Sequence, residues 1–200
     1  RSTVNDIQKR IDAEVKLPEG YHVELGGQFE SEQAASRTLL IASLMSIVVI
    51  FLLIYTEFKN AAQSAVILLN LPLALIGGVF ALLITSGEVS IPAIIGFISL
   101  FGIATRNGML LIGRYNNLRA EGGSLRESII HGSLDRLNPI LMTALTSALA
   151  LIPLAFRGDL PGNEIQSPMA KVILGGLLTS TFLNAFIIPI VYELMNRKKK

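Results

Sequence analysis

Long apolar runs separated by short polar turns dominate this sequence after about residue 34. The first, 34–56, is almost wholly apolar from Leu39 to Ile54. Glu57-Phe58-Lys59-Asn60 ends it with a tight polar turn. A second run covers 62–85, with Pro72 inside it and Gly77-Gly78 after it. The third, 91–116, carries Arg106-Asn107 near its middle. A fourth covers 138–156 and a fifth 168–195. Each approaches or exceeds the roughly 20 helical residues needed to cross a ~30 Å hydrocarbon core. The pattern predicts a mainly α, polytopic transmembrane bundle of five spans. Pro72 removes one backbone hydrogen bond and is expected to kink the second span.

The pattern before residue 34 is different. Val4, Ile7, Ile11 and Val15 recur at helical spacing among charged residues, which predicts an amphipathic helix. Pro18-Glu19-Gly20 breaks it. Tyr21 to Leu25 alternates as a short strand that stops at Gly26-Gly27. One helix and one strand cannot bury a core alone. Residues 1–33 are therefore expected to be the end of a soluble domain whose remainder lies upstream, and the chain a piece of a longer protein. Between the third and fourth spans, Ser124-Leu125-Arg126-Glu127 has the form of a capping box. Leu125, Ile129, Ile130 and Leu134 then predict a separate interfacial helix over 124–136. The fourth span is expected to start near Pro139, a favourable first-turn position.

Composition supports the membrane reading and narrows the chemistry. The chain of 200 residues is 51% hydrophobic, with a mean hydropathy of +0.56. Its net charge of +2 carries no nucleic-acid argument. There is no cysteine, so disulfides, thiolate nucleophiles and cysteine metal sites are excluded. Basic residues cluster on one side of the spans. Lys59, Arg114, Arg119, Arg126, Arg136 and Arg197 to Lys200 all fall there. The other side carries Glu88, Arg157, Asp159 and Glu164. The positive-inside rule makes the basic side cytoplasmic, with the N-terminal segment outside and the C-terminus inside.

No catalytic motif is present, and no enzyme activity or cofactor is expected. Arg106 is the feature that needs explaining. About 22 Å of apolar helix precede it, at 1.5 Å per residue. A charge at that depth costs at least ~2.5–3.5 kcal/mol on insertion scales, and such residues usually face a protein interior or a wet cavity. Ser99, Arg106 and Gly113 share one stripe, and Gly102 and Gly113 would let a neighbour approach closely. On the fourth span Arg136, Thr143, Ser147 and Ala150 share a face. Arginine keeps its proton, so it is a fixed positive partner and the titrating group must be a carboxylate from outside these spans. The alternative is a structural charge capped by carbonyls, with Thr143 and Ser147 bonded back to their own helix. Met109 and Met142 are conceivable soft metal ligands, though packing methionines are commoner, and no metal site is assigned. His22 and His131 are read as solvated side chains. Gly175-Gly176 with Thr179-Ser180 predicts close helix packing.

Several runs resemble the resistance–nodulation–division (RND) efflux permeases. They are Gly26-Gly27-Gln28-Phe29-Glu30, Leu71-Pro72 through Gly77-Gly78, Gly96 through Gly102, Arg106-Asn107-Gly108, Asn138-Pro139 through Thr143, and Gly175-Gly176-Leu177. They span nearly the whole chain in order. The first run and Gly162-Asn163-Glu164-Ile165-Gln166 resemble the heavy-metal branch, of the cobalt–zinc–cadmium and copper–silver type, more than the multidrug branch. The resemblance implies the tail of a periplasmic porter subdomain followed by spans eight to twelve of a proton-driven exporter. It implies an inner-membrane homotrimer that joins a periplasmic adaptor and an outer-membrane channel. It also implies a proton relay that sets span-four carboxylates, in the N-terminal part of the same permease, against Arg106, Asn107, Arg136 and Thr143. Arg106 departs from part of the family. Many multidrug members have lysine there, and some metal exporters have glutamate or leucine. A multidrug exporter and a non-efflux relative on the same scaffold are the alternatives.

Overall fold

The computed structural model describes residues 6–7, 10–11, 13–15, 18, 20, 28–85, 89–158, 160, 162–163 and 165–197. The expected strand at Tyr21–Leu25, with His22 and the first motif glycines, lies outside them. Among the described N-terminal residues, Asp6, Ile7, Arg10, Ile11, Ala13 and Glu14 are helical. Six helices follow: α1 (Gln28–Phe58), α2 (Ala61–Leu68), α3 (Asn70–Thr85), α4 (Ile91–Ala120), α5 (Leu125–Phe156) and α6 (Gln166–Arg197). Taken with α2 and α3 as one span, five are long and apolar enough to cross a membrane. The fold is the expected five-span bundle.

Local chemistry starts these helices. The Asn60 side chain accepts from the Ala62 and Gln63 N–H groups at 3.0 and 3.4 Å and opens α2. Ser90 accepts from the Ala93 N–H and opens α4, with Pro92 in the first turn. Ser124 and Glu127 cap α5 reciprocally, as the capping box predicts. The second span is interrupted at Leu69, three residues before Pro72, where α2 gives way to α3. Pro72 has no N–H to offer the Leu68 carbonyl, which accounts for a break there.

One expectation is corrected. Residues 124–136 do not form a helix apart from the fourth span. α5 runs without interruption from Leu125 to Phe156, and Pro139 lies inside it. A proline ring is tolerated within a helix that neighbours support, at the loss of one backbone bond. The capping box is thus the start of the whole span.

Glycine sets how closely the helices meet. α3 packs against α6 through Gly77 and Gly175, where a Cβ at Gly175 would lie 2.6 Å from the Gly77 carbonyl oxygen. At Gly176 it would lie 3.0 Å from the Ala74 carbonyl oxygen. The backbones touch, as the Gly175-Gly176 pair predicts. α4 adds its own face to this seam: Leu100, Phe101 and Ala104 are buried with Leu71 and Ala74. A second cluster joins Ile54, Ile67, Ile112, Tyr115, Ile188 and Tyr192 nearer the basic end. α1 and α5 are the least buried spans, with Leu44, Met45 and Leu53 on α1 and Met142, Leu145 and Leu149 on α5 largely exposed.

Candidate functional site

Arg106 lies on the open face of α4. Its side chain is exposed, and among the described residues it makes no hydrogen bond or ion pair. It borders a cavity of about 260 Å³ between α1 and α4, walled by Ile50, Leu53, Ile54, Gly102 and Thr105. A fixed charge therefore sits against almost wholly apolar walls, with no carboxylate beside it. Gly102 and Gly113 flank it, and a Cβ at either would meet nothing within 4 Å. No described residue of this chain makes the close approach expected at these two glycines. The stripe of Ser99, Gly102, Arg106 and Gly113 is an uncovered face.

Arg136 lies at the other end of the same groove. It borders a cavity of about 430 Å³ with Glu57, Arg114 and Asn117. Met109 and Leu110 wall both cavities, so the two arginines share a continuous border. The Arg136 Nε is buried and without a partner. Its neighbour Asp135 is engaged elsewhere: Arg114 donates to Asp135 Oδ2 from Nε at 2.9 Å and from a terminal nitrogen at 2.7 Å. Arg106, Arg114 and Arg136 against the one carboxylate of Glu57 leave the groove net positive, which favours a negative partner.

The remaining candidates are placed differently. Asn107 is next to Arg106 in sequence but is buried in the bundle at 4% exposure, away from the groove. Thr143 is exposed on α5, two helical turns from Arg136, and its hydroxyl donates to the Ile140 carbonyl at 2.9 Å. Met109 walls the groove, whereas Met142 is 68% exposed on α5 and lines neither arginine cavity. Among the described residues no group of three or more His, Cys, Asp or Glu side chains is placed to hold a metal.

Two sets of polar residues went unrecognised in the sequence. Near the basic end, the Gln63 and Asn116 amides exchange hydrogen bonds at 3.2 and 3.1 Å, and Tyr192 donates to Asn116 Oδ1 at 2.7 Å. Tyr115 and Ser133 are bonded at 2.6 Å, and Arg119 donates to Asn196 at 3.0 Å. This network ties α2, α4, α5 and α6 together. The second set, Asn70, Thr105 and Asn184, is buried in mid-bundle without partners. The available signal was a lone amide in an otherwise apolar run.

The sequence matches the AcrB/AcrD/AcrF family over residues 1–196. This chain belongs to that family. The resemblance to RND permeases, and to their heavy-metal branch, is met. Its sequence is 41% identical over 199 residues to the nickel-cobalt-cadmium resistance protein NccA of Alcaligenes xylosoxydans xylosoxydans, covering all of this chain and 18% of the relative. It is 38% identical to the cobalt-zinc-cadmium resistance protein CzcA of Cupriavidus metallidurans, covering 98% of this chain and 18% of that protein. A crystal structure of a heavy metal efflux pump superposes with a TM-score of 0.85 at 36% identity, covering 98% of this chain and 20% of the pump. The chain thus spans about a fifth of the length of these relatives. It is a multi-pass membrane segment of that family.

Proposed function

We propose that this chain is the C-terminal transmembrane part of a proton-driven exporter of heavy-metal cations in a bacterial inner membrane. The observation that carries the reading is Arg106: an unpaired cation at mid-span, on an uncovered helix face, bordering an apolar cavity. An arginine does not release its proton, so it works as a fixed charge beside a group that does. In the parent protein that group is a carboxylate on span four. Protonation from the periplasm removes its negative charge and frees Arg106. Helices α4 and α5 then shift and drive the porter domain above through its access states. Arg136 borders the same groove and extends the cationic surface. Thr143, on the Arg136 stripe, and Asn107, on the bundle side of Arg106, complete the relay.

The metal assignment rests on what the relatives' names say they resist. The orientation rests on the basic residues Lys59, Arg114, Arg119 and Arg126, which the reading places on the cytoplasmic side. The homotrimer, the periplasmic adaptor and the outer-membrane channel are the partners of this reading.

The test is Arg106→Ala in the full-length permease, with its membrane level measured. Metal export and proton counterflow should both be lost while the protein remains in the membrane. Wild-type rates of both would overturn the relay role.

A further inference from the structure

The bundle centre holds polar groups that neither the groove nor the basic end uses. Asn70, at the start of α3, is 1% exposed, and Asn184, mid-way along α6, is 0% exposed. Both amide atoms of each are buried with no hydrogen-bond partner, and so is the Thr105 hydroxyl on α4.

Helix register brings the two amides to one level. Gly77 on α3 meets Gly175 and Thr179 on the antiparallel α6. Two turns back from Gly77 is Asn70, and the matching step forward along α6 is Asn184. Gly108 of α4 stands at the same level: a Cβ there would strike Asn70 Nδ2 and lie 3.6 Å from Ile188, one turn past Asn184. Thr105 is one turn before Gly108, and it also walls the Arg106 cavity.

Two features show that these groups do not simply satisfy one another. Thr85, Thr143, Thr146 and Thr179 donate to carbonyls of their own helices. Thr105, like Thr181 on α6, forgoes that bond. The amides are the second feature: Nδ2 and Oδ1 of both Asn70 and Asn184 lack partners, so the two do not pair. The Leu68 carbonyl, deprived of its helical donor by Pro72, lies two residues from Asn70. Unmet donors and acceptors gathered at one level are what a buried water bridges.

We propose that Asn70, Thr105 and Asn184 form a buried water-binding site, entered from the Arg106 cavity past Thr105. It puts water into the bundle centre at the depth of Arg106.

Radiolytic hydroxyl-radical labelling of the full-length permease in 18O-labelled water tests it. Ile67 and Ile188, buried beside this level, should oxidise faster than the equally buried Leu100 and Val172. The Asn70→Leu/Asn184→Leu double variant should lose that excess. Equal oxidation of all four residues in the unmodified permease would overturn the site. A cryo-electron-microscopy map that resolves ordered water gives a second answer independent of the variant. Density bridging Asn70, Thr105 and Asn184 is expected, and two amides in direct contact with no density among the three would overturn it.

Discussion

The basic end of the bundle and its middle are held together by different means. At the basic end, polar side chains are donors and acceptors for one another: Gln63, Asn116 and Tyr192 close a network across three helices. In the middle and above it, backbones approach through Gly77, Gly175 and Gly176, and apolar groups fill the seam. Thr179 and Ser180 there bond only to carbonyls of their own helix, and Asn70, Thr105, Asn184 and Arg106 bond to nothing among the described residues. A satisfied hydrogen bond stabilises by about 0.5–1.5 kcal/mol, whereas a buried unmet group costs about 1–3 kcal/mol. The end is built for cohesion. The middle retains groups that weaken it, which is expected where a chain does work rather than only folds.

Arg106→Ala, the test of the proposed relay, is also the sharpest probe of that contrast. Arg106 has no bonded partner within this chain, but the proposed relay sets it against a span-four carboxylate. Its removal from the full-length permease leaves that group unmet and should cost about 1–3 kcal/mol of stability. Export should fall to background. Unchanged stability would instead show that Arg106 meets no carboxylate in the full-length permease either, and the partner assigned to it in the relay would fall.

Gly176→Leu attacks the other support of the middle. Its Cβ would lie 3.0 Å from the Ala74 carbonyl oxygen and would collide with Leu100. Backbone cannot move aside as a flexible side chain can. The expected loss is about 3 kcal/mol, at the upper end of the usual overpacking range. Thermal unfolding of the full-length permease in detergent measures it. Gly102→Leu is the matched control. Within this chain a Cβ at Gly102 meets nothing within 4 Å, so the collisions that Gly176→Leu causes have no counterpart there. Equal losses at the two positions would refute the close-packed seam.

That pair also shows how much the sequence discloses. The five spans were legible because 20-residue apolar runs are a local property. So was Arg106, since a lone charge stands out in such a run. The Ser124–Glu127 box was legible because both partners lie within one turn. Pro139 misled, because its first-turn preference is local while the continuity of α5 is set by the helices packed around it. Gly102 and Gly176 look alike in sequence. Only the register of α3, α4 and α6 decides that one is open and the other sealed. The same holds for Asn70 and Asn184, which stand more than a hundred residues apart and come to one level only through that register.

Asn116→Leu breaks the basic end. It removes the acceptor of the Tyr192 hydroxyl and both partners of the Gln63 amide. The Tyr192 and Gln63 groups are then left unmet, while neighbouring water at the membrane edge offsets part of the loss. The expected cost is about 1–2 kcal/mol, below that of Gly176→Leu. A variant as stable as wild type would mean that the network follows the packing and does not support it.

Asp135→Asn gives the smallest effect and separates charge from hydrogen bonding at that end. Arg114 donates twice to Asp135 Oδ2, with the two side chains 30% and 46% exposed. Solvent screens such a pair, and exposed ion pairs contribute roughly 0–1 kcal/mol. Asparagine retains an acceptor oxygen at nearly the same place, so only the charge term is lost. The stability change should be under about 0.5 kcal/mol and should vanish as salt shortens the Debye length to ~3 Å at 1 M. Arg114 would keep its hydrogen-bond acceptor but lose its nearest counter-charge, with Glu121 left at 4.0 Å, so the groove beside Arg136 would gain net positive charge. If export changes at low salt while stability does not, the field in the groove is the cause. A salt-independent loss of stability would instead place Asp135 with Asn116, as part of the bonded network and not of the charged surface.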